Sequence, residues 1–272
     1  MPESELKPDS INRRGFRVIN CLGVGISAVN LQQATQLLGS WADCGKRCTI
    51  HLCTAHTVIE CHQEPTLRHI INQADLVAPD GMPLAWLCRF LKQKHATRVY
   101  GPDLMRSFCE HSVTRGYRHF FYGGAVGVAG ELAARLKQRY PGLQIAGIHT
   151  PPYRPVGAIE ETTVIEAINA LQPDIIWVGL GTPKQDYWVA QHRPFLSAPL
   201  LVPVGAAFDM LSGRVQQAPP WMQRSGLEWL FRLSREPRRL ARRYLVYNPL
   251  FALHLFLQLT RLRHYPLSGR TR

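Results

Sequence analysis

No stretch of this chain stays apolar for long enough to cross a bilayer as a helix. The N-terminal segment, Met1–Arg14, is polar and lacks the apolar core of a signal peptide. The seven cysteines (Cys21, Cys44, Cys48, Cys53, Cys61, Cys88 and Cys109) are odd in number and offer no CxxC pair. They read as small buried hydrophobes in a reducing compartment, and the cytoplasm is the simplest address. No Asp-x-Asp occurs, so there is no obvious carboxylate pair to hold a divalent metal on a diphosphate. The glycine-rich turns never complete a GxGxxG fingerprint with an acid on the next strand, which argues against a nicotinamide-dependent oxidoreductase. Internal repeats and low-complexity segments are absent, and no lysine follows Gly213.

What is present describes a globular protein. The chain has 272 residues, 46% of them hydrophobic and 19% charged, enough for one large α/β domain or one domain with an appendage. Net charge is +13, and it is unevenly placed. From Gly213 onward twelve arginines face only two acids, Glu228 and Glu236, a balance of +10 against +3 for residues 1–212. A nearly neutral body therefore carries a strongly cationic tail, which must meet something anionic: ligand phosphates, acidic lipid or nucleic acid.

Apolar runs alternate with helical patterns through the first two hundred residues. Strands are expected at Phe16–Leu22, Cys48–Cys53, Leu76–Ala78, His119–Tyr122, Gln144–Ile148, Ile175–Val178 and Leu200–Val204. Helices are expected at Leu31–Trp41, Pro65–Gln73, Met82–Leu91, Leu104–Thr114, Val128–Tyr140, Ile159–Leu171 and Gln185–His192. This alternation predicts a mainly parallel, Rossmann-like sheet flanked by helices, occupying residues 1–212. Residues 213–272 read as a separate C-terminal amphipathic helical appendage. There Arg232, Arg235, Arg239 and Arg242 recur at i, i+3, i+7 and i+10 along a helix expected over Trp221–Arg243. Tyr244–Leu259 is apolar but broken by polar residues, which suits a helix lying in a membrane interface; the alternative is a helix packed on its own domain.

Several loops follow expected strands and so should reach one edge of the sheet. The most informative runs from Asp174 through Gly179 and Gly181 to Lys184, Gln185 and Asp186. A buried strand there turns at two glycines into a helix start, the usual place for a ligand outside the carboxyl ends of parallel strands. Asp80, with Gly81, lies on a second such loop, where a carboxylate serves as a general base or merely as a helix cap. Thr54 and His56 occupy a third, and Gly123 and Gly124 a fourth, with spacing that permits close approach of a phosphate. His51, Cys53, His56, Cys61 and His62 crowd one stretch, but no pair has zinc spacing, so neither a metal site nor a Cys–His nucleophile is expected.

Taken in order, these pieces resemble the WecG/TagA/CpsF glycosyltransferases (glycosyltransferase family 26) from about Val18 to about Leu245. The carriers are Ala74–Gly81, Arg98–Leu104, Tyr122-Gly123-Gly124, Pro173-Asp174, Val178–Gln185, Gly205–Asp209 and Ala218–Arg243. The resemblance implies inverting transfer of a sugar from a UDP-sugar donor to a polyprenyl-diphosphate-linked saccharide. That chemistry takes place at the cytoplasmic face of the plasma membrane, in exopolysaccharide or other surface polysaccharide synthesis, with no metal and no cofactor. It implies Asp80 as the base, with Thr54 and Gln185 in the pocket, and it places Asp103, Asp209 and Lys184 among the substrate-binding candidates. Arg232, Arg235, Arg239 and Arg242, with Arg238 and Arg243, fall in the region that completes the site. Backbone amides around Gly123, Gly124 and Gly181 would receive the departing diphosphate.

The chain departs from the family pattern at His56, Asp186, His192, Ala206 and Ala207. Of the family's donors (glucose, N-acetylmannosamine and its uronic acid), His56 and the Gly81-Met82-Pro83-Leu84 turn point to a plain hexose. Two other readings compete. A non-catalytic peripheral membrane binding protein of the same pathway would keep the tail without the chemistry, yet Asp80 and Gln185 are retained. Nucleic-acid binding would mix lysine and polar residues among the arginines, whereas this tail alternates arginine with Trp, Phe, Leu and Tyr, so no nucleic-acid partner is expected. A homo-oligomer would be one way to cover apolar surface beneath the tail.

Overall fold

The computed structural model describes residues 10–11, 16–152, 155 and 160–267. Most of the polar Met1–Arg14 segment, the expected helix start at Ile159 and the last two arginines, Arg270 and Arg272, lie outside these residues. Three short strands, β1 (Ser10–Ile11), β2 (Arg17–Cys21) and β3 (Val24–Ser27), form an antiparallel sheet. Six more form the main sheet: β4 (Cys48–Cys53), β5 (Leu76–Pro79), β6 (Arg118–Gly123), β7 (Gln144–His149), β8 (Ile175–Gly179) and β9 (Leu200–Pro203). Their order is β5-β4-β9-β8-β6-β7, and every neighbouring pair is parallel. The Rossmann-like expectation holds.

One expected strand belongs elsewhere. Phe16–Leu22 supplies β2 of the small antiparallel sheet, because Leu22 and Gly23 both take positive φ (52° and 87°) and turn the chain straight back into β3. This is the two-residue turn whose twist suits a hairpin, and a Leu-Gly pair does not advertise it.

Apart from its edge strand β7, the main sheet is buried on both faces, and period-two alternation sorts its side chains. Ile175 and Trp177 of β8 enter one core with Leu200, Val202, Ile50 and Phe121. Ile176 and Val178 face the other way with Phe120, Tyr122 and Leu201. Helices cover both sides: α1 (Leu31–Asp43), α2 (Ala55–Gln63), α3 (Pro65–Gln73), α4 (Met82–Phe90), α5 (Gly101–Val113), α6 (Val128–Arg139), α7 (Thr162–Ala170), α8 (Lys184–His192) and α9 (Ala207–Leu211). Of these, α9 and α2 were not foreseen. Thr54 caps α2 by accepting from the Thr57 amide, and Glu64-Pro65 divides it from α3.

After Gly213 the chain forms α10 (Pro220–Arg224), α11 (Glu228–Arg235), α12 (Pro237–Ala241), a π-helical turn at Arg242–Val246, and α13 (Tyr247–Leu259). The single amphipathic helix expected over Trp221–Arg243 is thus three. Gly226 interrupts it at φ 77°, and Pro237 breaks it at Glu236, since a residue before proline is steered out of helical geometry. α13 packs on α2 and on the hairpin. It buries Tyr247 and Phe251, and the Gln258 side chain bridges the Leu22 amide and the Asn20 carbonyl. Its other side leaves Leu253 and Phe256 exposed.

Candidate active site

The loops leaving the carboxyl ends of β4, β5, β6, β8 and β9 converge on one cavity of about 1530 Å³, roofed by the segment from Gln223 to Leu255. Of the residues singled out in the sequence, Thr54, His56, Asp80, Gly81, Gly124, Gly181, Lys184, Gln185, Asp209, Arg232 and Arg239 line it.

Asp80 follows β5, whose strand end fixes it: its amide donates to the Cys53 carbonyl at 2.8 Å. Its Oδ1 is covered and has no hydrogen-bond partner. Burial, only partly offset by Arg98, pushes its carboxyl up from 3.8 to about 6. Arg98 is close but held aside. Its Nε donates to the Asp80 carbonyl at 2.7 Å and stands 4.0 Å from Oδ1, while its Nη2 donates to Glu228 at 2.6 Å. Tyr100 lies under that guanidinium, 3.8 Å from ring centroid to Cζ, and its hydroxyl donates to the other Glu228 oxygen at 2.9 Å. Glu228 opens α11, so these bonds tie the tail to the cavity wall.

His56, on the first turn of α2, stacks on Tyr247 of α13 with ring centroids 5.1 Å apart. Burial, with Arg243 nearby, pushes its imidazole down to about 3, so it is neutral at physiological pH. Gln185 is buried at the start of α8. Its Oε1 accepts from the Gly181 amide at 3.1 Å and its Nε2 reaches Thr182 Oγ1 at 3.4 Å. Behind it Asp186 accepts from buried His51 at 2.7 Å, tying α8 to β4. A wall of rings stands opposite: Tyr122 stacks on Trp188 at 4.1 Å, and Trp188 on His192 at 4.6 Å. Trp188 Nε1 is covered and has no partner.

The cationic roof departs from the expected stripe. The break at Pro237 and the π-helical turn, which inserts one residue into the helical register, change which arginines face inward. Arg232, Arg239 and Arg243 line the cavity, whereas Arg235 and Arg242 do not. Arg235 is exposed and bonds Gln216 at 3.2 Å. Arg239 pairs with Glu236 at 2.6 Å. The Nε atoms of Arg232 and Arg243 are covered without partners, and among the described residues neither arginine pairs with a carboxylate. Arg243 lay in the arginine-rich region expected to complete the site but off the expected stripe, whereas Arg98, Tyr100, Glu228 and Trp188 were not among the singled-out site residues. The presence of only two acids in an arginine-rich tail was the available signal for Glu228.

Three further expectations need correction. Asp103 lies on the first turn of α5, pairs with Arg106 at 2.9 Å and does not line the cavity. Gly123 does not line it either. At φ 110° its missing side chain leaves room for β8, since a Cβ there would sit 2.8 Å from the Gly179 carbonyl oxygen. Nor are the amides of Gly124 and Gly181 open for a diphosphate: they donate to Gly179 and Gln185 respectively. Asp209 does line the cavity, and burial, opposed by Arg239, raises its carboxyl above the usual range. Among the described residues no group of three or more His, Cys, Asp or Glu is arranged for a metal ion.

Residues 19–265 match the sequence profile of the family described as "Glycosyl transferase WecG/TagA/CpsF family". The chain is 32% identical over 180 residues to a Bacillus spizizenii protein named N-acetylglucosaminyldiphosphoundecaprenol N-acetyl-beta-D-mannosaminyltransferase, covering 66% of this chain and 68% of that one. Proteins of the same name from Bacillus subtilis and Staphylococcus aureus are 28% and 31% identical. Those matches cover 62% and 64% of this chain, and 64% and 66% of the relatives. The cavity at the strand ends, its buried carboxylate and its arginine roof thus lie in a chain that belongs to the WecG/TagA/CpsF family of glycosyltransferases.

Proposed function

We propose that this protein transfers a sugar, with inversion, from a UDP-sugar to a saccharide carried on a polyprenyl diphosphate. The observation that carries this is the placing of one partly buried carboxylate, whose covered Oδ1 has no hydrogen bond, with two arginines that pair with no carboxylate among the described residues, around a single cavity. Inverting transfer needs one base to take the proton of the acceptor hydroxyl as it attacks the anomeric carbon. Asp80 has a covered oxygen with no hydrogen bond, whereas both oxygens of Glu228 already accept one. With its carboxyl near 6, Asp80 is mostly ionised at neutral pH yet more basic than an ordinary carboxylate. The bond from the anomeric carbon to the diphosphate oxygen breaks as the new glycosidic bond forms. The charge left on UDP then falls to Arg232 and Arg243, whose guanidinium groups are planar and unspent. Gln185 acts through the loop it braces at Gly181 and Thr182, and Thr54 through the start of α2.

The acceptor's chain needs an apolar way out. Trp86 lines the cavity yet is half exposed, Phe90 follows one turn along α4, and Leu227 and Leu230 stand exposed on the facing segment. Gly226 brings the two sides together, its Cα packed against the Trp86 ring. With the exposed arginines of α11 and α12 beside them, these residues suit the cytoplasmic surface of a membrane. No helix among the described residues is long and apolar enough to cross one.

The relatives' name makes N-acetylglucosaminyl-diphosphoundecaprenol the first acceptor to test and N-acetylmannosamine the first sugar. Departures such as His56 keep a plain hexose in the panel, as exopolysaccharide synthesis would use. UDP release is measured with UDP-glucose, UDP-N-acetylglucosamine and UDP-N-acetylmannosamine, each with and without that acceptor on a short lipid. Acceptor-dependent release with one sugar supports the reading. Release with none, together with tight binding to anionic vesicles, would instead make this a non-catalytic membrane protein.

A further inference from the structure

Four groups from three separate parts of the chain meet at the base of the cavity: Asp80 after β5, Arg98 and Tyr100 before α5, and Glu228 at the start of α11. The cation nearest the buried carboxylate is not spent on it. Arg98 sends Nη2 to Glu228 at 2.6 Å and Nε to the Asp80 main-chain carbonyl at 2.7 Å. Its guanidinium rests on the Tyr100 ring, and Tyr100 in turn donates to Glu228. The Asp80 carboxylate is left 4.0 Å from Nε with Oδ1 unpartnered. A buried carboxylate beside an arginine normally takes a charge-assisted hydrogen bond from it, so something must hold the two apart. Among the described residues Glu228 is the carboxylate that holds that guanidinium at hydrogen-bond distance, while the Asp80 main-chain carbonyl takes its Nε.

We propose that Glu228 is a positioning residue that holds Arg98 off the Asp80 carboxylate, so that the base is free only while the C-terminal segment is docked. This inference rests on the reading of Asp80 as the base. With Glu228 withdrawn, Arg98 needs to swing by about the difference between a 4.0 Å contact and a hydrogen bond to pair with Oδ1. The paired carboxylate would be a weaker base with its lone pair occupied. Tail docking therefore has two effects: it brings Arg232 and Arg243 to the cavity, and it releases the base.

The groups facing Asp80 are Arg98 and Tyr100 from the segment before α5, Glu228 and Arg232 from α11, Arg243 from the π-helical turn and the Cys53 thiol at the end of β4. The Cys53 thiol is itself pushed up by burial and stays neutral. The titratable groups facing Asp80 are thus the Glu228 carboxyl, the Tyr100 phenol and the Cys53 thiol, beside three arginines.

The test is the pH profile of kcat/KM for UDP release by full-length wild type, Glu228→Gln, Glu228→Asp, the double variant Arg98→Met/Glu228→Gln, and Asp80→Asn. Wild type should lose activity on the acid side with a midpoint near 6. Glu228→Gln keeps the shape of the latch without its charge. It should move that midpoint down by about 1 pH unit or more, with a lower plateau, as Arg98 closes from 4.0 Å to a direct hydrogen bond with the carboxylate. Glu228→Asp should restore the midpoint, and removing Arg98 from the Gln variant should raise it again. An acid limb in Glu228→Gln that overlies wild type, with only the plateau lowered, would make Glu228 a structural latch and overturn the proposal. So would a midpoint in the double variant that stays as low as in Glu228→Gln. An unchanged acid limb in an active Asp80→Asn would instead overturn the base assignment itself, and this proposal with it.

Discussion

His56 of the body, which lines the cavity, stacks on Tyr247 of the tail, which does not, with ring centroids 5.1 Å apart at 29°. The contact between the tail and the body therefore borders the site. Tyr247 is buried there with Phe251, and truncating a buried aromatic typically costs about 3 kcal/mol. Tyr247→Ala should lower the melting temperature, and it should raise hydrogen exchange over residues 237–259 before it does so in the main sheet. Equal loss of protection in β8 and β9 would show that the tail does not loosen as a unit.

Asp80 offers a stability test with a definite sign. Its folded-state carboxyl lies near 6, above the ordinary 3.8, so the folded protein binds a proton more tightly than the unfolded chain. The associated stability is fully present below about pH 4, is lost as pH rises through about 6, and is absent above it. Asp80→Asn removes a charge that is held at a cost. It should therefore be more stable than wild type at pH 8, by on the order of 2 kcal/mol, with the difference closing near pH 4. Thermal melts of both proteins across that range read it directly. A variant less stable than wild type at pH 8 would mean that the carboxylate is held by bonds absent from this structure.

The roof arginines should separate cleanly. Arg243→Met removes an unpaired guanidinium from the cavity and should weaken UDP binding by about 10- to 100-fold, the usual worth of a charge-assisted bond. Arg235→Met and Arg242→Met, which face away from the cavity, should leave that affinity within about twofold. Calorimetric titration with UDP distinguishes them. Equal losses at all three positions would indicate a diffuse field rather than a built clamp.

Gly123→Ala tests a structural role. Its Cβ would sit 2.8 Å from the Gly179 carbonyl oxygen at a φ of 110°, so β6 and β8 would have to part. A loss of about 2 kcal/mol or more is expected whether or not UDP is present. Stability retained together with lost UDP affinity would return Gly123 to the phosphate-binding role.

These assignments show what the sequence makes legible. The main sheet was readable because β8 and β9 are unbroken apolar runs buried on both faces, each followed by glycine or proline. The cavity was readable because parallel strands send their carboxyl ends to one edge, which placed Asp80, Thr54 and Gln185 together. The β2–β3 hairpin was not, since Leu22-Gly23 carries a turn that few such pairs make. Nor was the arginine register, because one proline and one extra residue in the π-helical turn rotate Arg243 inward in place of Arg242. The Arg98–Glu228 bond joins residues 130 apart, and no local pattern encodes it.

The most direct measurement compares UDP release by wild type and Asp80→Asn at pH 7.5 (about 1.5 units above the Asp80 midpoint), with one UDP-sugar and the lipid-diphosphate-linked acceptor. Both proteins must also be shown to bind UDP equally. The account predicts acceptor-dependent release in wild type and a loss of at least about 100-fold in the variant, the usual contribution of a general base. Release that survives in Asp80→Asn would contradict it and move the base to Asp209, the other carboxylate at the cavity whose acidity burial has lowered.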